Sequence, residues 1–487
     1  MEALRRQSLT SRALLVVALW AGFYVLALGL ALGLAWIPIA QARYSDTFGF
    51  GAIAAGAGAI TVLWALRPRW WFKKKKEEDR FEPLSREEAP ELFAFAEQVA
   101  AKVGAKPPRK LYLSGGPNAS AAVESRWLGL VRERMVAIGL PLLAFLEPDE
   151  LGAVLAHEFG HHVGGDVALG PWVYRTRAAI GRAAESLEDS SFFLDLPFRA
   201  YGDLFLRAST SVSRQQELAA DAVSAGAFGA QATAAALRKV HELGPLWAAY
   251  FAHDAGPAIS AGARVPLIEG FRRFLAEKKR RQAVQRDIDD LASGPPSPWD
   301  SHPSLEERLA AVGQAGSRPP VLASGGCLHL AGGERRAEEL WYARAISAPL
   351  RAAGWEELGP GFVIPEIVKA LKGTALDPAR TPPSALPSLL REGAALWDRV
   401  RPAGLDLLSP EAKRRRAQQL LTDWLSAALS HRGFVAQVRP GAALALVGNG
   451  EEVDPAALVE GLGGGALDEH EYTEFCAGVE SRALNDG

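Results

Sequence analysis

Two uncharged runs set the pattern of the N-terminal part of the chain. Ala13–Ala40 carries no charge, is preceded by Arg5, Arg6 and Arg12, and is long enough to cross a bilayer. It is too long for the core of a signal peptide, and no clear cleavage site follows it. A link, Gln41–Thr47, holds Arg43 and Asp46, and Phe48–Leu66 is a second uncharged run. Its glycines (Gly49, Gly51, Gly56, Gly58) weaken a soluble helix but suit close packing of helices in lipid. Arg67, Arg69, Trp70, Trp71 and Lys73–Lys76 follow at once, an aromatic anchor and then a basic block. The positive-inside rule turns both ends of this hairpin to the cytoplasm. The expectation is a two-helix transmembrane hairpin within residues 1–76, with spans near 13–40 and 48–66.

Past the basic block the periodicity becomes that of a globular chain. Arg86–Val103 reads as an amphipathic helix with Leu92, Phe93, Ala96 and Val99 on one face. Leu111–Ser114 reads as a strand and Asn118–Val123 as a small, extended segment. Trp127–Val131 and Met135–Ile138 suggest a hairpin around Arg132-Glu133-Arg134. Pro148, Asp149 and Glu150 suit a first helical turn, where a missing N–H is harmless and negative charge meets the dipole. Leu151, Val154, Leu155 and Phe159 then form an apolar stripe, and Gly164-Gly165 is a stop. Gln231–Leu275 is largely helical and Glu277–Asp290 is a charged helix. Gly294–Pro298 is a breaker-rich linker. Beyond about residue 320 come loops, then Leu420, Leu421, Trp424, Leu425 and Leu429 at helical spacing. A strand-like stretch follows over Gly433–Leu446, and short helices open at Asp454-Pro455 and Asp468. The fold class expected is mainly α with a small β-sheet (α+β). The divisions expected are the hairpin, a central domain over residues 80–315 and a C-terminal α/β accessory region over 320–487.

Chemistry concentrates in Leu151–Asp166, LGAVLAHEFGHHVGGD. His157 and His161 stand four apart, so on a helix both imidazoles can aim at one point. Neutral imidazoles at that spacing suit zinc. Glu158 lies about 100° round the helix, outside the ligand set but near enough to take a proton from activated water. His162, displaced about 140° from His157, is excluded as a ligand. Two inert, hydrogen-bonded histidines would carry the same pattern, so a third ligand is the test. Ser213–Asp221, SRQQELAAD, puts Glu217 and Asp221 at i and i+4. Glu217 can supply a carboxylate to a three-ligand site with an open fourth position. Asp221 can accept the N–H of a ligating histidine and fix its tautomer. Taken alone, the two acids read more readily as a surface acidic pair on an Ala-rich helix, and only the HExxH pattern reverses that.

HEFGH, followed by SRxxExxAD and later by His302-Pro303, resembles the HtpX/CAAX-type prenyl endopeptidase family of membrane-associated zinc metallopeptidases, over roughly Leu111–Leu309. The resemblance implies a zincin-like core of the gluzincin type, one Zn2+ per chain held by His157, His161 and Glu217, Glu158 as base, and Asp221 beside the ligands. It also implies that the peptide substrate lies along the edge strand at Asn118, Ala119 and Ser120. His302 and Arg308 come near the cleft, where His302 could aid the oxyanion or cap the metal and Arg308 could steady carboxylates. One departure stands out. Family relatives have further spans between the two motifs, whereas Arg175, Arg177, Arg182, Glu185, Glu188, Asp189, Asp195, Arg199 and Asp203 leave no run long enough to cross. Phe192–Phe198 is an apolar patch that could touch the membrane surface or roof the cleft.

Length allows two or three domains. A net charge of −2 gives no electrostatic case for nucleic acid. Cys327 and Cys476 match no metal or redox spacing. The function expected is a membrane-anchored zinc endopeptidase acting on polypeptides, in membrane-protein quality control. It would sit in the cell (inner) membrane, multi-pass, with the catalytic domain on the cytoplasmic side. The rivals are a catalytically silent membrane-tethered scaffold and a protease restricted to prenylated or lipid-embedded substrates. Oligomeric state is not encoded in any pattern found.

Overall fold

A computed structural model describes residues 2–44, 49–66, 82–126, 131–163, 196–292, 303–314, 322, 326–400, 409–448 and 450–483. The described chain is mostly helical with small sheets. It falls into two compact units, Met1–His241 with Ser293–Gly333, and Glu242–Ala292 with Glu334–Gly487.

The first unit begins with two packed apolar helices, α1 (Glu2–Tyr44) and α2 (Phe50–Leu66). Phe23, Ala27 and Ala31 of α1 and Val62 of α2 are buried, while Val25, Leu32, Trp36, Ile60 and Trp64 are exposed. Within α1, Val17–Tyr44 is long and apolar enough to cross a membrane, and Phe50–Trp64 is a shorter apolar helix. At 1.5 Å per residue α2 spans about 25 Å, short of a ~30 Å hydrocarbon layer unless its flanks contribute. The helix α1 runs past the expected end of the first span, through Arg43. The basic block Lys73–Lys76 and most of the Gln41–Thr47 link's far end lie outside the described residues.

Next comes α3 (Pro90–Lys102), starting at its proline and burying Leu92, Phe93, Ala96 and Val99 as the periodicity predicts. A three-stranded sheet of β1 (Lys110–Ser114), β2 (Ala119–Arg126) and β3 (Val131–Gly139) has the order β1-β3-β2. β1 is parallel and β2 antiparallel to the central β3, which leaves one side of β2 unpaired within the sheet. Leu111, Leu113, Val136 and Ile138 are buried, alternate positions that share one face. One expectation is corrected here. Arg132, Glu133 and Arg134 do not form a turn; they lie within β3, opposite Ser125, Glu124 and Val123. Within β3, Glu133 pairs with Lys110 of β1 at 2.6 Å. Trp127–Leu130, between the strands, lie outside the described residues.

The wholly buried turn of helix α4 (Leu140–Phe145) leads to α5 (Pro148–Val163), and the stop expected at Gly164-Gly165 lies outside the described residues. The insert 164–195, with its expected apolar patch up to Asp195, lies outside the described residues. α6 (Leu196–Phe228) is continuous through Arg199 and Asp203. α7 (Ala230–Tyr250) follows, and α8 (Leu305–Ala311) opens on a Ser304–Glu307 capping box. Glycine brings α5 against α6: a Cβ on Gly160 would stand 3.2 Å from the Ala220 Cα, and one on Gly152 would collide with the Phe228 ring. Beneath the first turn of α5, buried Lys239 of α7 donates to Glu150 at 2.7 Å and to the Phe145 carbonyl at 3.2 Å.

The second unit is helical around a small antiparallel sheet, Val435–Gln437, Ala445–Gly448 and Glu451–Val453. Trp424, Leu425 and Leu429 of the helix Pro410–Ser430 lie in its core with Phe434, Leu446 and Tyr472. Asp454 caps the helix Pro455–Gly463, as Asp-Pro predicts. Cys327 and Cys476 are both buried and free.

Candidate metal centre

α5 and α6 cross where the two motifs meet. His157 Nε2 lies 3.2 Å from His161 Nε2 and 3.4 Å from Glu217 Oε2, and His161 Nε2 lies 3.8 Å from Glu217 Oε1. One ligand atom from each of the three falls within 4.8 Å of the others. Zinc bonds of about 2.0–2.1 Å at the tetrahedral angle separate neighbouring donors by about 3.3–3.4 Å, so the donor spacing fits one such ion. The donor chemistry, two imidazoles and a carboxylate, fits as well. Their side chains are only 13%, 27% and 13% exposed, enough to leave one side open.

The supporting groups are charged and buried. Asp221 Oδ1 accepts from His157 Nδ1 at 2.8 Å, which turns Nε2 toward Glu217. Arg308 of α8 grips Asp221 with two bonds, Nε to Oδ2 at 2.8 Å and Nη2 to Oδ1 at 2.6 Å. Its Nη2 also stands 3.7 Å from Glu217 Oε2. Burial opposes a charge on His157, but the hydrogen bonds to Asp221 and Glu217 outweigh it and lift the pKa to about 9. That pull measures how strongly these carboxylates favour a positive charge between them. Burial works against a charged Asp221 too, yet the bonds from Arg308 and His157 hold its pKa below the ordinary value.

Glu158 points to the sheet instead. Burial raises its pKa, opposed by the charge of His157 and by a hydrogen bond from the Ala121 backbone on β2. Ala119 is the first residue of β2 and Asn118 precedes it, its carbonyl accepting from the Gly139 N–H at 2.9 Å. Asn118 and Ser120 are exposed and Ala119 half-buried. A cavity of about 270 Å3 lies alongside, lined by Ala121, Ala122, Val136 and Phe159, with Lys106 and Arg134 adding positive charge.

The structure thus brings together His157, His161, Glu217, Glu158, Asp221 and Arg308, and sets Asn118, Ala119 and Ser120 on or beside the strand that contacts Glu158. His302 lies outside the described residues. Three participants carry no signature in the sequence. The Ala121 N–H is a backbone group. Arg214 of α6, which bonds Glu307 of α8 at 2.5 Å, and the buried Lys239 look like any helical cation until their partners are located in space.

Residues 86–315 match Peptidase family M48. The chain is 32% identical over 218 residues to the Protease HtpX of Idiomarina loihiensis, covering 40% of this chain and 69% of that protein. It is 25% identical over 270 residues to the Protease HtpX homolog of Chlorobium limicola, covering 54% and 84%. Among solved structures, Ste24p of S. mikatae is 19% identical, covering 61% of this chain and 67% of that one, with a TM-score of 0.24, from which nothing about the fold follows. With the motif pair converging as described, these matches carry one conclusion: the chain belongs to peptidase family M48, the HtpX/CAAX-type metallopeptidases.

Proposed function

We propose that the protein is a membrane-anchored zinc endopeptidase that hydrolyses polypeptide chains, with residues 80–315 as its catalytic domain. His157, His161 and Glu217 would hold the ion. When bound, zinc supplies Lewis acidity, lowering the pKa of water and polarising a carbonyl oxygen. Glu158 takes the proton of the attacking water on its carboxylate and hands it to the leaving amine. Its burial raises its proton affinity toward that task. Asp221 fixes the tautomer of His157, and Arg308 keeps Asp221 charged while it does so. The peptide pairs its main chain with the free edge of β2 near Asn118, Ala119 and Ser120, which sets the scissile bond beside Glu158. The cavity at Phe159 and Arg134 offers a substrate side chain apolar walls and a positive rim. His302 and Arg308 are the candidates for steadying the oxyanion.

Anchoring rests on α1, which is long and apolar enough to span, with α2 as a second, shorter span. Basic residues on both flanks favour a multi-pass arrangement in the cell membrane with the catalytic side in the cytoplasm. A role in membrane-protein quality control is the physiological setting this arrangement suits.

The observation that carries the reading is the meeting of His157, His161 and Glu217 within 4.8 Å, next to a buried carboxylate that binds a sheet edge. The test is Glu158→Gln in the full chain. Metal analysis should find wild-type zinc content, while cleavage of an unfolded protein substrate falls by about two to four orders of magnitude. A variant that keeps its activity, or a wild type that cleaves equally well after complete metal removal, would rule the mechanism out.

A further inference from the structure

α6 does two jobs on opposite faces. Tyr201, Phe205 and Val212 pack against α1 at Leu19, Trp20, Phe23 and Ala27, with Phe23 and Phe205 completely buried. Sixteen and twenty residues beyond Tyr201, Glu217 and Asp221 face the metal centre. At about 100° per residue they lie roughly 160° and 200° round the helix from Tyr201, and Glu217 is some 24 Å along it. One face of a single helix is therefore gripped by the apolar N-terminal helix, and the other carries the carboxylate ligand.

The grip is specific. Tyr201 Oη donates to the Leu19 carbonyl at 2.5 Å. The phenol lies over Gly22, where a Cβ would stand 2.5 Å from Oη. A knob thus fits a notch that any larger residue at position 22 would fill. The far end of α6 is fixed independently, by Ser224 Oγ bonding the Ala153 carbonyl of α5 at 2.8 Å and by Phe228 lying over Gly152. Glu217 sits between these two points. Where it faces α5, Gly160 packs closely against Ala220 and Val223, so the place of Glu217 depends on how the two helices are set along one another. A metal constellation tolerates errors of only about 0.5 Å or 10–20°.

We propose that α1 is part of the catalytic scaffold as well as an anchor, and that Gly22 and Tyr201 act as positioning residues that set the register of α6 and hence of Glu217. The inference rests on the reading of Glu217 as a zinc ligand. Its test uses the full chain in detergent or nanodiscs, comparing Gly22→Leu, Tyr201→Phe, the double variant Gly22→Leu/Tyr201→Ala, and Glu217→Ala. The readouts are zinc affinity by competition with a chelator and the visible absorption of the Co2+-loaded protein, which reports coordination geometry. Filling the notch with Gly22→Leu should weaken zinc affinity by about tenfold and change the Co2+ spectrum while helix content by circular dichroism stays constant. Tyr201→Phe, which adds no bulk and so applies even where Gly22→Leu fails to fold, should produce a smaller loss of the same kind. The double variant, which trades the knob for space, should recover both readouts. Wild-type affinity and spectrum in both single variants would overturn the proposal, as would a double variant no better than Gly22→Leu. Glu217→Ala separates the two ideas: if it also binds zinc normally, the ligand assignment has failed, and if it alone loses zinc, only the coupling to α1 has.

Discussion

Asp221 and Glu338 are both acids removed from water, one in each unit, and they are handled in opposite ways. Asp221 is fully buried at its side chain but receives two bonds from Arg308 and one from His157. Burial penalises its charge, and those cations more than compensate, so its pKa is held low. Glu338, on the helix Glu334–Ala345, accepts from the Ile268 N–H at 2.7 Å at the start of the helix Leu267–Ala276. Burial dominates there, and with Glu334 nearby its pKa rises to about 7. Amide donors can satisfy a carboxylate without keeping it charged, whereas a bidentate guanidinium can do both. The first unit keeps a buried charge on Asp221 next to the proposed metal ligands. The second uses a carboxyl mainly to close a helix end.

The contrast breaks most violently at Asp221. Asp221→Asn keeps the shape but leaves Arg308 buried opposite a neutral amide. Removing one partner of such a pair should cost about 3 kcal/mol of stability. The loss of an acceptor for His157 should weaken zinc affinity by about ten- to hundredfold. Chelator competition and denaturant unfolding check the two effects. A variant with unaltered zinc affinity would mean that the charge on Asp221 serves the fold alone.

Glu338 gives the opposite sign in pH. Its folded pKa of about 7 lies above the ordinary 4.5, so between those values the folded state holds more protons than the unfolded one. Stability from this group is complete below about pH 4.5 and is lost as pH rises through 7. For Asp221 the sign reverses: its contribution is present above the ordinary 3.8 and is lost as pH falls below it. Glu338→Gln keeps the acceptor for the Ile268 N–H and cannot ionise. Relative to wild type it should gain up to about 3 kcal/mol between pH 4.5 and 8, read as a difference in unfolding midpoints. Parallel profiles for the two proteins would show that Glu338 ionises freely in the folded state.

How much of this was legible beforehand follows from the range of the interactions. His157, His161, Glu217 and Asp221 were readable because their i, i+4 spacing is itself geometry. The helix α5 announced its start through Pro148, Asp149 and Glu150, whereas α3 begins at Pro90 and not at the expected Arg86. By contrast, Arg132-Glu133-Arg134 looked like a turn because three successive charges suit water. The segment is nevertheless paired residue by residue with Val123–Ser125 of β2, and Glu133 meets Lys110 across the sheet. The contact of Ala121 with Glu158, the Lys239–Glu150 pair and the seat of Tyr201 on Gly22 join residues far apart in the chain. Nothing periodic marks them. The capping role of Glu338 was hidden for the same reason, since EELWYA reads as an ordinary helix.

The smallest effect tests whether the ion pairs around the metal matter for their burial or merely for their number. Arg214 and Glu307 join α6 to α8 about two turns along α6 from Asp221 and directly beside Arg308 on α8, with the charges exchanged between the two helices. On paper the pairs are equivalent, each an arginine against a carboxylate. Arg214 and Glu307 are, however, 32% and 51% exposed, against 19% and 0% for Arg308 and Asp221. Water and salt screen the outer pair, so Arg214→Gln should cost no more than about 1 kcal/mol, shrinking further as ionic strength rises. Zinc affinity should stay at the wild-type value, because α8 remains tied through Arg308 and neither Arg214 nor Glu307 touches a ligand histidine. Unfolding midpoints at low and high salt, measured beside those of Asp221→Asn, decide the matter. A loss from Arg214→Gln as large as that from Asp221→Asn and insensitive to salt would mean that the two pairs act as one network, and that burial is not what distinguishes the charge at Asp221.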